Sequence, residues 1–238
     1  MKTEIQKWWD DNAEDYQKYW GLPIDVFYGP EGSTEKELRL MGNVFEKNIL
    51  EIGCGGAQNS IYLAKKGANL TGIDISKVQL NHAKNLAKDN DVKINFYQGD
   101  IIDLHKIKSE SQDIVFSCWA LHYVSDLSRC FGETYRVLKE KGNFIFSLDH
   151  PFWRRLDKKD LRIKKSYFET GRYEEKYKKG KFVAYDHTIE EITNSLIETG
   201  FNLEKILEPK FNNEKSLSYR DEAMKIIPRT IIYKSQKK

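Results

Sequence analysis

The sequence predicts a doubly wound α/β fold on a mostly parallel sheet of seven strands, with a helical segment before it and an inserted cap after its fifth strand. Three observations carry that reading. Short apolar runs alternate with helix-period stretches between residues 48 and 148, the pattern of βαβ units. The connections between them are short. The alternation then stops once, for about 38 residues (149–186), and resumes; a structureless loop of that length does not suit a compact domain, so the insertion should carry strands of its own.

The elements follow in order. The opening stretch reads as a helix because Ile5, Trp8, Trp9, Ala13, Tyr16 and Trp20 recur at spacings of three to four, and Gly21 and Pro23 end it. NILEIGC (48–54) is an apolar run ending in glycines, hence the first strand, and the helix from Asn59 to Lys66 stops at Gly67. NLTGID (69–74) is the second strand. Ser76 with Gln79 makes a capping box that opens a helix whose Leu80, Ala83 and Ala87 share one face. INFYQGD (94–100) and DIVFSC (113–118) are the third and fourth strands. A helix over Asp126–Leu138 is broken by Gly142, and NFIFSL (143–148) is the fifth strand. Thr188 and Glu191 form a second capping box, opening a helix that Gly200 terminates; FNLEKIL (201–207) and RTIIYK (229–234) complete the sheet.

Composition excludes several classes. With 238 residues, 39% hydrophobic and 32% charged, the chain can bury a sizeable core. The longest nearly apolar run, Ile114 to Leu121, falls far short of the ~20 residues that span a bilayer. MKTEIQKWWDD has no apolar signal-peptide region. Cys54, Cys118 and Cys130 are an odd number without a CxxC pair, which disfavours a disulfide framework or a zinc ribbon. A soluble, cytoplasmic protein is the expectation. The net charge of +3 hides an asymmetry: residues 154–181 hold twelve Lys/Arg against five Asp/Glu, and the rest of the chain is slightly acidic.

Ligands of such sheets bind outside the carboxyl ends of the strands, at the topological switch point. The first strand ends in E-I-G-C-G-G-A, Glu51 to Ala57. Gly53 and Gly55 permit a tight turn and let the backbone approach a ligand where a Cβ would intrude. Asp74 closes the second strand 21 residues after Gly53, the position from which a carboxylate reaches a ribose diol. Asp100 closes the third strand, where it can accept from an exocyclic amine, and Ser117 closes the fourth. Each alone could cap a turn; in sequence they point to a nucleoside-containing ligand. Gln58 stands where a dinucleotide fingerprint wants glycine or alanine, which weighs against NAD, and no G-x-x-x-x-G-K-[ST] occurs.

ILEIGCGGAQ, TGIDIS, YQGDI, DIVFSCWALHYV and RVLKEKGNFIFS resemble the successive motifs of class I S-adenosylmethionine-dependent methyltransferases, in particular the type 11 group. HTIEEITNSLIETGF (187–201) resembles the same family's tail. Ala57 replaces the third glycine of the usual G-x-G-x-G, a one-methyl departure. The resemblance implies a Rossmann-like methyltransferase fold, S-adenosylmethionine as cofactor, and a division of one domain into an N-terminal helical lid (1–44), a cofactor-binding core (45–148), a basic and aromatic cap (149–186) and the C-terminal part of the sheet (187–238). It also implies roles: Glu51 beside the methionine amino group, Gly53 and Gly55 against the cofactor, Asp74 on the ribose hydroxyls and Ile75 on the adenine. Asp100 would accept from the adenine amine with Ile101 nearby, and Ser117 and Cys118 would line the methionine end. Tyr16 or Tyr19 of the first helix would contact the methionine carboxylate or close a lid.

Methyl transfer needs positioning and a water-poor pocket more than a nucleophile. A general base is needed only where the acceptor must lose a proton, and His122, His150 and His187 follow strand ends from which they could serve; each has an alternative reading as a structural or capping histidine. His82 and His105 read as surface residues, and no metal motif is present. A small-molecule acceptor between the first helix and the cap is the favoured expectation, with an anionic acceptor included. The alternatives are RNA or tRNA tracked by the basic, aromatic-interleaved insert, and a non-catalytic cofactor-binding protein.

Overall fold

Runs of Ile, Leu, Val and Phe buried on both faces become the central strands of one sheet, as parallel strands covered by helices require. The computed structural model describes residues 3–157, 159–177, 179–211 and 222–238. In chain order the strands are β1 (Asn48–Ile52), β2 (Asn69–Asp74), β3 (Ile94–Gln98), β4 (Gln112–Cys118), β5 (Leu138–Asp149), β6 (Gly171–Tyr177), β7 (Gly180–Asp186), β8 (Phe201–Leu207) and β9 (Thr230–Lys237). The helices are α1 (Glu4–Trp20), α2 (Glu35–Leu38), α3 (Gln58–Ala64), α4 (Lys77–Asp89), α5 (Leu127–Val137) and α6 (Ile189–Thr199). Seven strands form the sheet in the order β3-β2-β1-β4-β5-β9-β8. The first five are parallel, and β9 runs antiparallel to both β5 and β8. Chain order reverses between β1 and β4, which opens a crevice above their carboxyl ends.

Two cores flank the sheet. On one face Val115, Phe144 and Phe146 pack with Phe131 of α5 and Ile192 and Leu196 of α6. On the other, Ile49, Ile114, Phe116 and Ile145 pack with Leu63 of α3 and with Val26, Tyr28 and Met41 of the segment after α1. That segment is fixed by the buried Glu35 carboxylate, which accepts from Tyr28 Oη at 2.6 Å and from the backbone of Leu40 and Met41 at 3.1 and 2.8 Å.

Boundaries shift for identifiable reasons. The first strand ends at Ile52 because the chain turns at Gly53, and the third ends at Gln98, leaving Asp100 in the following turn. Leu138 begins β5 rather than ending α5, and Gly142 lies inside that strand: the register jumps from Gln112↔Leu138 to Ile114↔Asn143, so the extra residues form an irregularity that glycine accommodates. The Thr188–Glu191 capping box closes in both directions, at 3.0 and 2.8 Å. The Ser76–Gln79 box is half formed. Ser76 Oγ accepts from Gln79 N at 3.1 Å, but the Gln79 side chain is engaged by Gln17 of α1.

The insertion carries strands, as expected: β6 and β7 form an antiparallel hairpin, preceded by a 3-10 turn at Trp153–Arg155. Its two most buried cations point inward. Arg154 donates to Asp149 Oδ2 at 2.8 Å and to Asp186 at 3.2 Å, and Arg155 donates to Asp186 at 2.7 Å and to the Glu169 carbonyl at 2.6 Å. Arg229 of the neighbouring segment reaches Asp149 Oδ1 at 2.6 Å and stacks 4.7 Å from the ring centres of both Trp119 and Trp153. Further out, Lys164 pairs with Asp157, Lys179 with Asp15 and Lys181 with Glu174. Lys158 and Lys178 of the basic block, and the side chain of Tyr177, lie outside the described residues. Among the described residues no helix is long and apolar enough to cross a membrane, no group of side chains could hold a metal, and the three cysteines are free thiols.

Candidate active site

β1 ends in a turn that demands glycine. Gly53 sits at φ +71°, and a Cβ there would stand 2.2 Å from the Ala120 Cβ. The Gly53 and Cys54 N–H groups both donate to the Ile73 carbonyl, at 2.8 and 2.9 Å, folding the loop back onto β2. Gly55, at φ +49°, faces open space, with nothing nearer than 4.0 Å to its Cβ position. Its N–H donates to Asp74 Oδ2 at 2.8 Å, while Asp74 Oδ1 accepts from Ser76 N at 2.8 Å. Burial pushes the Asp74 carboxyl up to about 6, against the pull of those backbone donors. Glu51, buried beneath the loop, accepts from Asn59 Nδ2 at 2.8 Å and Ser60 Oγ at 2.5 Å. Burial pushes it up to about 7, further than its hydroxyl and amide partners draw it down.

Over this loop lies α1. Thr3 caps its start by accepting from Gln6 N at 3.1 Å. Two sets of contacts clamp it onto the cofactor-side loops. Gln58 Nε2 donates to Gln17 Oε1 at 2.7 Å and Gln17 Nε2 donates to Gln79 Oε1 at 2.8 Å, a chain of three amides across the glycine loop. Asp10 accepts from Ser76 Oγ at 2.7 Å. The opposite side of α1 meets the hairpin: Trp8 packs edge-on against Phe182 at 5.2 Å, and Asn12 Nδ2 donates to the Lys179 carbonyl at 3.0 Å. Between sheet, α1 and hairpin lies a cavity of about 400 Å³, within the usual size of a small-molecule site. Its walls are mainly apolar and aromatic, with Trp9, Tyr16, Trp20, Trp119, Tyr123 and Tyr185 among them.

The cavity gathers Tyr16, Glu51, Gly53, Gly55, Asp74, Ile75, Asp100, Ile101 and Cys118. It does not gather Ser117, Tyr19 or the three histidines. Ser117 is fully buried in the sheet, where strand alternation turns it to the side opposite Cys118, and Tyr19 is 75% exposed, edge-on to Trp20. His122 lies behind the cavity against Tyr123, 4.3 Å between ring centres, and burial drives its pKa down to about 3, so the ring is neutral. His150 donates from Nε2 to Glu208 at 2.8 Å and accepts from Phe152 N at Nδ1. His187 donates from Nε2 to the Val124 carbonyl at 2.9 Å. None of the three histidines lines the cavity: His150 and His187 are hydrogen-bonded locally, and His122 packs against Trp119 and Tyr123. His82 and His105 are exposed.

Sequence reasoning missed Gln17, Gln79, Trp119, Tyr123, Arg172 and Tyr185. Trp119 and Tyr123 stand directly after β4, so the rule that ligands meet strand ends was the signal available for them. Trp119 adopts φ +62°, a conformation that costs a bulky residue energy and turns the chain into the cavity wall. Gln17 and Arg172 carried no local signal, because their positions depend on how α1 and the hairpin dock.

The site fits S-adenosylmethionine on its own chemistry. Two buried carboxylates, each raised by burial, border a cavity whose floor is open at Gly55. Such groups are stabilised by cations and hydroxyl donors, and the cofactor brings an ammonium, a sulfonium and a ribose diol.

Comparison with known proteins agrees. A family model described as a methyltransferase domain matches residues 50–146. An uncharacterised protein of Haemophilus influenzae is 30% identical over 92% of this chain and 95% of its own length. A ubiquinone biosynthesis O-methyltransferase of Coxiella burnetii is 31% identical over 60% of this chain, which spans about half (56%) of that enzyme. The crystal structure of an S-adenosylmethionine-dependent methyltransferase from Mesorhizobium loti superposes with a TM-score of 0.72 at 25% identity, covering 88% of this chain and all (100%) of that one. One from Clostridium acetobutylicum, at 17% identity and a TM-score of 0.63, shares the fold over 94% and 97% of the two chains. With the strand order, the glycine turn and the paired carboxylates already in place, these matches identify the chain as a member of the class I S-adenosylmethionine-dependent methyltransferases, an enzyme of the type 11 group.

Proposed function

We propose that this methyltransferase acts on a small-molecule acceptor seated in the cavity between α1 and the β6–β7 hairpin. The enclosure of that cavity carries the reading: α1 and the hairpin meet over it through Trp8–Phe182 and Asn12–Lys179, leaving aromatic walls. The basic insert supports it as well, because Arg154 and Arg155 are spent on buried carboxylates rather than presented to phosphates. A relative named for O-methylation in ubiquinone biosynthesis supports the acceptor class. The cytoplasmic placement belongs to the same proposal, and the free thiols of Cys54, Cys118 and Cys130 suit a reducing compartment.

When bound, the cofactor supplies a methyl group on a sulfonium that already carries its leaving group. The chain supplies placement. Asp74 would accept from the ribose hydroxyls, Glu51 would stand toward the methionine amino group, and Asp100 and Ile75 would hold the adenine end. Tyr16 and Cys118 would bound the methionine end, and Trp9, Tyr16 and Tyr123, which line the cavity, would keep water from the transfer path, where positioning and a low dielectric lower the barrier. The test supplies methyl-labelled S-adenosylmethionine together with either total tRNA or a protein-free metabolite extract. Label in the small-molecule fraction is expected. Label in tRNA, with salt-sensitive binding, overturns the reading.

A further inference from the structure

Charge is distributed unevenly around the cavity. Glu51, Asp74 and Asp100 are on the cofactor side, whereas Arg172 of β6 is the one cation among the described residues that border it. Arg172 donates from Nε and Nη2 to Glu174 Oε1, both at 2.7 Å, and from Nη2 to Glu4 Oε2 at 2.7 Å; Nη1 has no partner among the described residues. The two carboxylates are not equivalent. Glu174 is also held by Lys181, on the paired strand. Glu4 belongs to the first turn of α1, and its side chain is 62% exposed.

Resting on the acceptor reading above, we infer that Arg172 selects an acceptor with an apolar body and a carboxylate, which takes the place of Glu4 on the guanidinium. Removing Glu4 leaves Arg172 and Lys181 facing Glu174 alone, so one positive charge is unmatched. It also frees an Nη2 donor beside the unpartnered Nη1, giving the fork that binds a carboxylate through two parallel hydrogen bonds. Val183 and Tyr185 of β7 and Trp9 of α1 supply the apolar walls for the rest of the molecule. Glu4 thus occupies the anion position while the acceptor is absent, and its release uncouples the start of α1 from the hairpin.

The experiment incubates wild type, Arg172→Ala, Arg172→Lys and Glu4→Gln with methyl-labelled S-adenosylmethionine and a limiting protein-free metabolite extract, and fractionates the products by anion exchange. Wild type yields a labelled product retained as an anion. Arg172→Ala reduces labelling about 10- to 100-fold, the effect of losing a charge-assisted fork, and Arg172→Lys restores part of it. Glu4→Gln increases labelling, because a competing carboxylate is gone. S-adenosylhomocysteine affinity in Arg172→Ala stays within about fivefold of wild type, the most that one exposed ion pair to α1 accounts for, which shows that the variant is folded. A neutral or cationic small-molecule product, or undiminished labelling by Arg172→Ala, overturns the inference while leaving the acceptor reading intact. A fall in Glu4→Gln equal to that in Arg172→Ala also overturns it, because the pair is then only a latch. Absence of label from every small molecule overturns the acceptor reading itself.

Discussion

At the scale of single residues, the site rests on backbone positions that tolerate no side chain and on carboxylates held at a cost. Replacing Gly53 with Ala places a methyl 2.2 Å from the Ala120 Cβ at φ +71°. Overpacking costs about 1–3 kcal/mol and a left-handed conformation about 1–2 kcal/mol, so Gly53→Ala lowers the urea midpoint and weakens S-adenosylhomocysteine binding; a variant matching wild type in both contradicts the geometry. Glu51 and Asp74 give a pH signature. Their pKa values in the folded protein, about 7 and about 6, lie above the ordinary 4.5 and 3.8. Between those limits the native state binds more protons than the unfolded chain, so the stability of the cofactor-free protein falls as pH rises from about 4 to 7. Denaturant titrations should show a smaller loss over that range in Glu51→Gln than in wild type. A ligand that brings cations and donors favours the ionised carboxylates, so cofactor affinity rises over the same window. The carboxylates and glycines were legible because strand ends and spacing mark them. The histidines were misleading because proximity to a strand end in sequence does not say which way a ring points.

At the scale of elements, α1 is both a wall of the cavity and a clasp. Gln17 bridges Gln58 and Gln79 across the glycine loop, and each such bond contributes on the order of 1 kcal/mol. Gln17→Ala should therefore weaken cofactor binding about 5- to 30-fold and speed hydrogen exchange in residues 4–20, with β1 and β4 unchanged; unaltered exchange in α1 argues against the clasp. The cap is anchored from below. Burial alone would raise the Asp149 carboxyl, but the Arg229 and Arg154 guanidinium groups hold it well below the usual carboxylate range. Asp149→Ala leaves both guanidinium groups without that partner in a buried setting, which costs about 3–5 kcal/mol; thermal unfolding measures it, and a loss below about 1 kcal/mol would show that solvent screens the network. The hairpin was legible as an insertion too long to lack strands. The half-formed Ser76–Gln79 box was not, since Gln79 is diverted by a residue 62 positions away.

For the molecule as a whole, local periodicity made the alternating parallel strands readable, and the glycine turn located the crevice where chain order reverses. The antiparallel placement of β9 between β5 and β8 depends on long-range pairing that no local pattern encodes. The net charge of +3 resolves in part into structure: Arg154 and Arg155 of the insert tie the cap to the sheet, and Lys164, Lys179 and Lys181 pair with neighbouring acids. What remains is a cavity with carboxylates at its cofactor end and one arginine across from them. The most direct test of that account is a calorimetric titration of S-adenosylhomocysteine into wild type and Asp74→Ala. Saturable one-site binding by wild type, weakened about 10- to 100-fold by loss of hydrogen bonds to a charged group, is the predicted result. Undiminished binding by Asp74→Ala would contradict it.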